Sequence, residues 1–329
     1  MRRIRLGRTG AEVSAIGLGT WAHGGPMNVK GHEVGWSGHD DRQAADAIRT
    51  AYDSGVDHFD TADVYGDGHA ERLLGSLWDG IPRAGVFLAS KVGWDPGPHR
   101  QYYHPDLIES RLERSLELLR TDYLDLYYLH HCDFGPNDVR LEPALEVLAR
   151  ARSAGKFRFL GLSDWTSSKV LRLGPQVDPD VVQIYRNVLD DQYVSSGLAA
   201  WTEERDVGAV FFSALKHGVL LGKYSEPTAF PEGDMRNRIA EFQDADALAR
   251  FARNRSAVTE RFSDHPEPVL HALIGSVLDQ DASTALVGMR NRAQARAAAT
   301  LGARLSGEDA SWIREIYRDG GGASGDGAG

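Results

Sequence analysis

The chain has 329 residues, 42% of them hydrophobic and 26% charged, so it carries enough apolar material for a sizeable core and reads as an ordinary globular protein. Its formal net charge of −10 argues against nucleic acid or an anionic membrane surface as the main partner, because both reward an excess of Lys and Arg. Cys132 is the only cysteine, which excludes an intrachain disulfide and a Cys-based metal cage; no run is long and apolar enough to span a bilayer, the basic start leads into no secretory h-region, and the expected location is cytoplasmic.

At the amino terminus, RRIRLGRTG predicts one arm of a hairpin that pairs with the next run across a barrel floor, turning at Gly7 to Gly10. Short β-rich apolar runs then alternate with helical patterns, the mark of βαβ units. Strands are predicted over 13–20, 57–62, 86–92, 123–131, 157–163, 181–187, 209–215 and 283–288. Helical spacing recurs between them in RQAADAIRTAYDSG, HPDLIESRLERSLELLR, EPALEVLARARSAG and SGLAAWTEERD, and again over 291–302. Eight such units predict an α/β fold, a (β/α)8 TIM barrel with an N-terminal hairpin and extra helices, in preference to an open doubly wound sheet. Residues 223–264 form an insertion after the seventh strand, helical in its second half, and SGEDASWIREIYRDG predicts an added helix opened by Ser306. A single domain is expected over 1–319, followed by a disordered Gly-rich tail at 320–329.

Sites in such barrels gather at the strand carboxyl ends, which here carry Thr20, Trp21, Asp60, Lys91, His130, Ser163, Asp164, Gln183, Ser213 and Gly288. Strands two, three and four are neighbours, so Asp60, Lys91 and His130 should converge on one wall. Tyr65, five residues past Asp60, has the length of chain to fold back over them. A cation beside a phenol favours the phenolate and is expected to pull its pKa down from about 10, so that Tyr65 acts as an acid near neutral pH. Asp60 would hold Lys91 charged, and His130 would hydrogen-bond a carbonyl oxygen. Taken alone, Asp60 and Lys91 suit a strand-end ion pair; their coincidence with Tyr65 and His130 favours a site. No metal is expected, because His131, Cys132 and Asp133 alternate in direction along a strand. His23, His32 and His39, around the loop GGPMNVKGHEVGWSGHDD, are expected as surface residues rather than ligands, with Trp36 as part of a lid. Trp21 suits core packing and substrate contact equally. No G-x-G-x-x-G opens a helix after a strand, since GDGHAE lacks the third glycine, so a Rossmann site is not supported.

DTADVYGDGHAERLLG, SKV at 90–92, DLYYLHHCD at 125–133, GLSDW at 161–165, FSALKHGVLLGKY at 212–224 and VGMRNRAQ from Val287 follow one another in an order that resembles the aldo-keto reductase family. That resemblance, from GLGTW at Gly17 onward, implies NADPH-dependent reduction of small aldehydes or ketones by hydride transfer, with Tyr65 as proton donor and Asp60, Lys91 and His130 completing the catalytic set. It also implies an extended NADP(H) across the mouth: Thr20 and Trp21 beside it, Ser163, Asp164 and Gln183 facing the carboxamide, and Phe212 stacking on the nicotinamide. Ser213, Ala214, Leu215 and Gly218 would line the pyrophosphate channel, with Gly288, Arg290 and Gln294 at the adenosine end, where a guanidinium matches a 2′-phosphate. Asp164 stands where the family usually has Asn, Ala214 where it has Pro, and Ala298 where an Asn often meets adenine. Some members, the β subunits of voltage-gated potassium channels, keep the barrel and the cofactor while acting as partners, so a regulatory NADPH-binding role is the alternative expectation.

Overall fold

The computed structural model describes residues 1–29, 32–33 and 35–318. The expected tail at 320–329 and the side chain of His32 lie outside the described residues. Eight parallel strands, Ile16–Gly19, His58–Asp60, Phe87–Val92, Leu124–Leu129, Phe157–Asp164, Val181–Tyr185, Gly208–Phe212 and Ser283–Gly288, close into a barrel in chain order. Closure comes from the eighth strand pairing with the first, Ala285 opposite Ile16 and Gly288 opposite Gly19, which excludes the open sheet.

The first predicted strand is in fact two. Glu12–Ser14 pairs antiparallel with Arg3–Arg5, and Ile16–Gly19 enters the barrel. Ser14 makes the bend: its hydroxyl donates to Ile16 O and accepts from the Asp57 N–H, so the chain leaves the hairpin already tied to the second barrel strand. The hairpin seals the floor, packing Ile4, Leu6 and Val13 against Phe87, Leu126 and Val210. Gly7 is required there, since its φ is +51° and an added Cβ would lie 2.3 Å from Gly208 N.

Strand alternation sets the mouth. On the third strand Phe87 and Ala89 belong to the inner cluster, while Leu88 and Val92 join the outer one with Ile108, Leu112 and Val147 of the surrounding layer. The next inward position after Ala89 is Lys91, at the carboxyl end, so a period of two delivers its side chain to the barrel mouth. Helices Asp41–Asp53, Pro105–Leu118, Leu141–Ser153, Leu198–Glu204 and Arg292–Ala299 occupy predicted segments, as do the insertion helix Ala245–Arg261 and the last helix Gly307–Arg318. Ser167–Val177 is helical although Pro175, near its carboxyl end, removes one backbone hydrogen bond. Among the described residues, no helix is long and apolar enough to cross a membrane.

Candidate active site

The stretch after Asp60 turns back on itself through short backbone bonds. Thr61 N donates to Ala89 O at 2.9 Å and Asp63 N to Lys91 O at 3.2 Å, so the chain hugs the third strand; Tyr65 N then closes on Ala62 O at 3.1 Å. Gly66, Asp67 and Gly68 all have positive φ, at 62°, 50° and 81°, which ends the turn and starts the helix His69–Gly75. Gly66 also lies against the first loop: a Cβ there would sit 2.0 Å from Gly24 O. Two glycine backbones in contact thus fix where Tyr65 stands.

Lys91 is fully buried and Asp60 is 2% exposed. Lys91 Nζ donates to Asp60 Oδ1 at 2.5 Å, to Thr61 O at 2.7 Å and to the Tyr65 hydroxyl at 3.3 Å. Gln183 Nε2 donates to the other oxygen, Asp60 Oδ2, at 2.7 Å. Burial alone would lower the Lys91 pKa, but the Asp60 charge and the hydrogen bonds to Asp60 and Tyr65 outweigh it and raise the value. For Tyr65 the expected direction is corrected. Burial raises its pKa, and the opposing pull of Lys91 does not reverse this, so the phenol stays protonated at neutral pH. His130 stands beside it, ring centroids 6.0 Å apart, and burial together with the Lys91 charge drives its pKa well down. Its imidazole is therefore neutral, and its buried Nδ1 has no partner among the described residues. A proton-bearing phenol, a charged ammonium, a neutral imidazole and a carboxylate meet at one wall.

The family model for the aldo/keto reductase family matches residues 15–318. Aldo-keto reductase YhdN of Bacillus subtilis (strain 168) is 31% identical over 328 residues, covering 97% of this chain and 94% of its own. The chain belongs to the aldo/keto reductase family. It is thereby an oxidoreductase of carbonyl compounds. The NADH-specific methylglyoxal reductase of Escherichia coli (strain K12) is 27% identical over 252 residues, 73% of this chain and 74% of the relative. The solved structure of glycerol dehydrogenase AKR11B4 from Gluconobacter oxydans shares the fold, with a TM-score of 0.80 at 24% identity and 99% of each chain covered.

Around the wall of Asp60, Tyr65, Lys91 and His130 in this aldo/keto reductase, the other anticipated residues fall into four groups. Ser163, Asp164 and Gln183 are buried on neighbouring strands, Ser163 opposite Gln183 in the register. Asp164 accepts from Cys132 N and Thr166 N, both at 2.8 Å, so the carboxylate that replaces Asn is tied to backbone amides. Thr20 donates to Asp60 O at 3.0 Å, and Trp21 stacks on Tyr65 at 6.2 Å. Phe212 meets Trp165 and Tyr185 edge-on at 4.9 and 5.8 Å. Beyond it the backbone of Ser213, Lys216, His217 and Gly218 turns left-handed, carrying Ala214 inward to full burial and leaving Leu215 partly buried. Gly288 is exposed at the end of the last strand; past it Arg290 donates to Ser37 O at 2.7 Å and Gly38 O at 2.5 Å, while Gln294 Oε1 accepts from Arg290 N at 2.7 Å.

Residues outside the expected catalytic and cofactor sets complete the picture. His23, expected at the surface, is 2% exposed, because the first loop tucks it beneath Arg290; burial and that guanidinium lower its pKa to about 4. With Arg290, Gln294, Gln43 and His39 it lines a cavity of about 150 Å³. Trp36 packs on Trp21 and His217 at 6.1 and 5.9 Å, and Arg236 lies over its ring at 4.9 Å. Asp234, fully buried in the insertion after the seventh strand, accepts from Ser37 N and Oγ and from Arg236, clasping the first loop to that insertion. A lone Asp in a polar segment gives no sequence signal for such a clasp.

Proposed function

We propose that this aldo/keto reductase reduces small aldehydes or ketones to alcohols with NADPH, the reverse oxidation using the same groups. The reading rests on one chain of contacts, from Gln183 through Asp60 and Lys91 to the Tyr65 hydroxyl. A phenol protonated at neutral pH holds the proton that a carbonyl oxygen needs on reduction, and Lys91 steadies the phenolate left when that proton moves. Asp60 keeps the ammonium charged and aimed in a dry site. Neutral His130 offers a ring N–H to the same carbonyl oxygen and so fixes which lone pair faces Tyr65.

The mouth suits an extended dinucleotide. His23 and Arg290 bound a polar cavity, lined also by Gln294, that matches a phosphate at the adenosine end, with Gly288 two residues before Arg290. Ser213, Ala214, Leu215 and Gly218 would follow the pyrophosphate. Thr20, Trp21, Ser163, Asp164, Gln183 and Phe212 would surround the nicotinamide; the carboxylate oxygens of Asp164 keep lone pairs for an amide NH₂ beyond those given to Cys132 and Thr166. When bound, the reduced nicotinamide supplies the hydride to the carbonyl carbon. Because one relative is specific for NADH, family membership does not choose the nucleotide, and the choice of NADPH rests on Arg290 and His23. A single barrel domain over 1–319 acting in the cytoplasm completes the reading.

Fluorescence titrations with NADPH and NADH, followed by a carbonyl panel read by loss of nicotinamide absorbance, test it. Expected are at least tenfold tighter NADPH binding, about 1.4 kcal/mol, and turnover of at least one aldehyde or ketone. Binding of neither nucleotide, or binding without turnover of any carbonyl, contradicts the proposal.

A further inference from the structure

Away from the catalytic wall, three side chains from two segments, one running into the helix Asp41–Asp53 and one at the helix His69–Gly75, point at one another. His39 ends the first loop, Asp41 opens the helix Asp41–Asp53, and His69 opens the helix His69–Gly75. One donor atom from each lies within 4.8 Å of the other two. His69 Nε2 is already 2.8 Å from Asp41 Oδ1, and the two imidazole rings meet at 5.7 Å and 77°. The His39 ring rests on bare backbone: a Cβ at Gly25, whose φ is +81°, would come within 2.9 Å of its Cε1 and Nδ1. Gly25 therefore makes room for the imidazole.

We propose that His39, Asp41 and His69 bind a divalent transition-metal ion. Donors around an ion with bonds of about 2.0–2.1 Å stand about 3.4 Å apart in a tetrahedron, so small side-chain rotations at the half-exposed and exposed positions bring the three into coordination. The 2.8 Å hydrogen bond gives way to two bonds to the metal. Two imidazoles with one carboxylate suit Zn²⁺, Co²⁺, Ni²⁺ or Cu²⁺, whereas Mg²⁺ and Ca²⁺ prefer all-oxygen shells. Three protein donors leave the remaining position to water. None of Asp60, Tyr65, Lys91 or His130 takes part, so metal binding is measurable apart from turnover, although His39 also lines the cavity assigned above to the phosphate. The site joins a wall of the His23 and Arg290 cavity to the turn running from Tyr65 to His69.

The full chain, stripped with a chelator, is titrated with Co²⁺ while the visible d–d absorption is followed, and Zn²⁺ is then added as competitor. One saturable equivalent per chain is expected, displaced by Zn²⁺. His39→Ala and His69→Ala should each weaken it at least tenfold, with His39→Gln and His69→Gln as a second set should an alanine variant melt early. His99→Ala, at a stacked histidine pair elsewhere with ring centroids 3.9 Å apart, should leave it unchanged. Absence of a saturable equivalent overturns the assignment, and so does binding that survives loss of either His39 or His69 or that depends on His99.

Discussion

Replacing Lys91 by Met would leave a carboxylate without its cation in the driest part of the barrel. In the native chain Asp60 has one oxygen 2.5 Å from Lys91 Nζ and the other 2.7 Å from Gln183 Nε2, with both members of the ion pair buried. Removing one partner of a buried pair strands the other charge and costs about 3–5 kcal/mol. The surviving Gln183 bond places the expected loss toward the lower end of that range. The double variant Asp60→Asn/Lys91→Met removes both charges at nearly constant volume and should recover stability to within about 1 kcal/mol of the parent. Neither variant should turn over a carbonyl, because the hydroxyl of Tyr65 loses its ammonium in both. Urea unfolding with equal m values measures the stabilities. A single-variant loss below about 1 kcal/mol, or a double variant as unstable as the single, would refute the reasoning that the pair acts as one buried unit.

Arg290→Gln should weaken NADPH binding about tenfold to a hundredfold while changing NADH binding much less, since a hydrogen bond to a charged phosphate contributes about 1.5–3 kcal/mol; equal losses for both nucleotides in fluorescence titration would contradict this. Gly66→Ala forces a Cβ to within 2.0 Å of Gly24 O at a φ of +62°, and should cost more than about 1 kcal/mol while lowering kcat through displacement of Tyr65; an unchanged melting temperature would argue against that contact. Burial, with the neighbouring Glu71 charge, raises the Asp63 pKa from the ordinary 3.8 to about 8, so the folded chain holds a proton there that the unfolded chain releases. Stability from this group is full below the unfolded value and falls as pH rises through about 8, at no more than about 1.4 kcal/mol per pH unit. Asp63→Asn should flatten that fall in unfolding curves taken from pH 4 upward, and a slope that persists in the variant would exclude Asp63 as its source.

The barrel was legible because its strands are short β-branched and aromatic runs between turn residues, and eight of them in even alternation with helices leave few other packings. Asp60, Lys91 and His130 could be placed together from order alone, as each ends a strand adjacent to the next. Tyr65 needed only a count of residues. What the chain order hid was tertiary. Ser14 bends one apparent strand into two through a hydroxyl that bonds residues 43 positions away, and no local pattern announces it. His23 lies in a loop, where a polar residue reads as exposed, yet the loop folds under Arg290 and buries it. The direction of the Tyr65 shift depends on whether burial or the cation dominates, a contest between a distance and a depth that spacing cannot decide. Gln183 likewise appeared as a strand-end amide, with nothing to say that its nitrogen would brace Asp60.

Changing Tyr65 to Phe removes one oxygen and tests the central claim most directly. Single-turnover reduction of a carbonyl by chain preloaded with NADPH should fall by about 10²–10⁴-fold, the contribution of a positioned general acid, while NADPH affinity stays within a factor of two or so. A variant that reduces the carbonyl within about threefold of the parent rate would show that the proton comes from elsewhere.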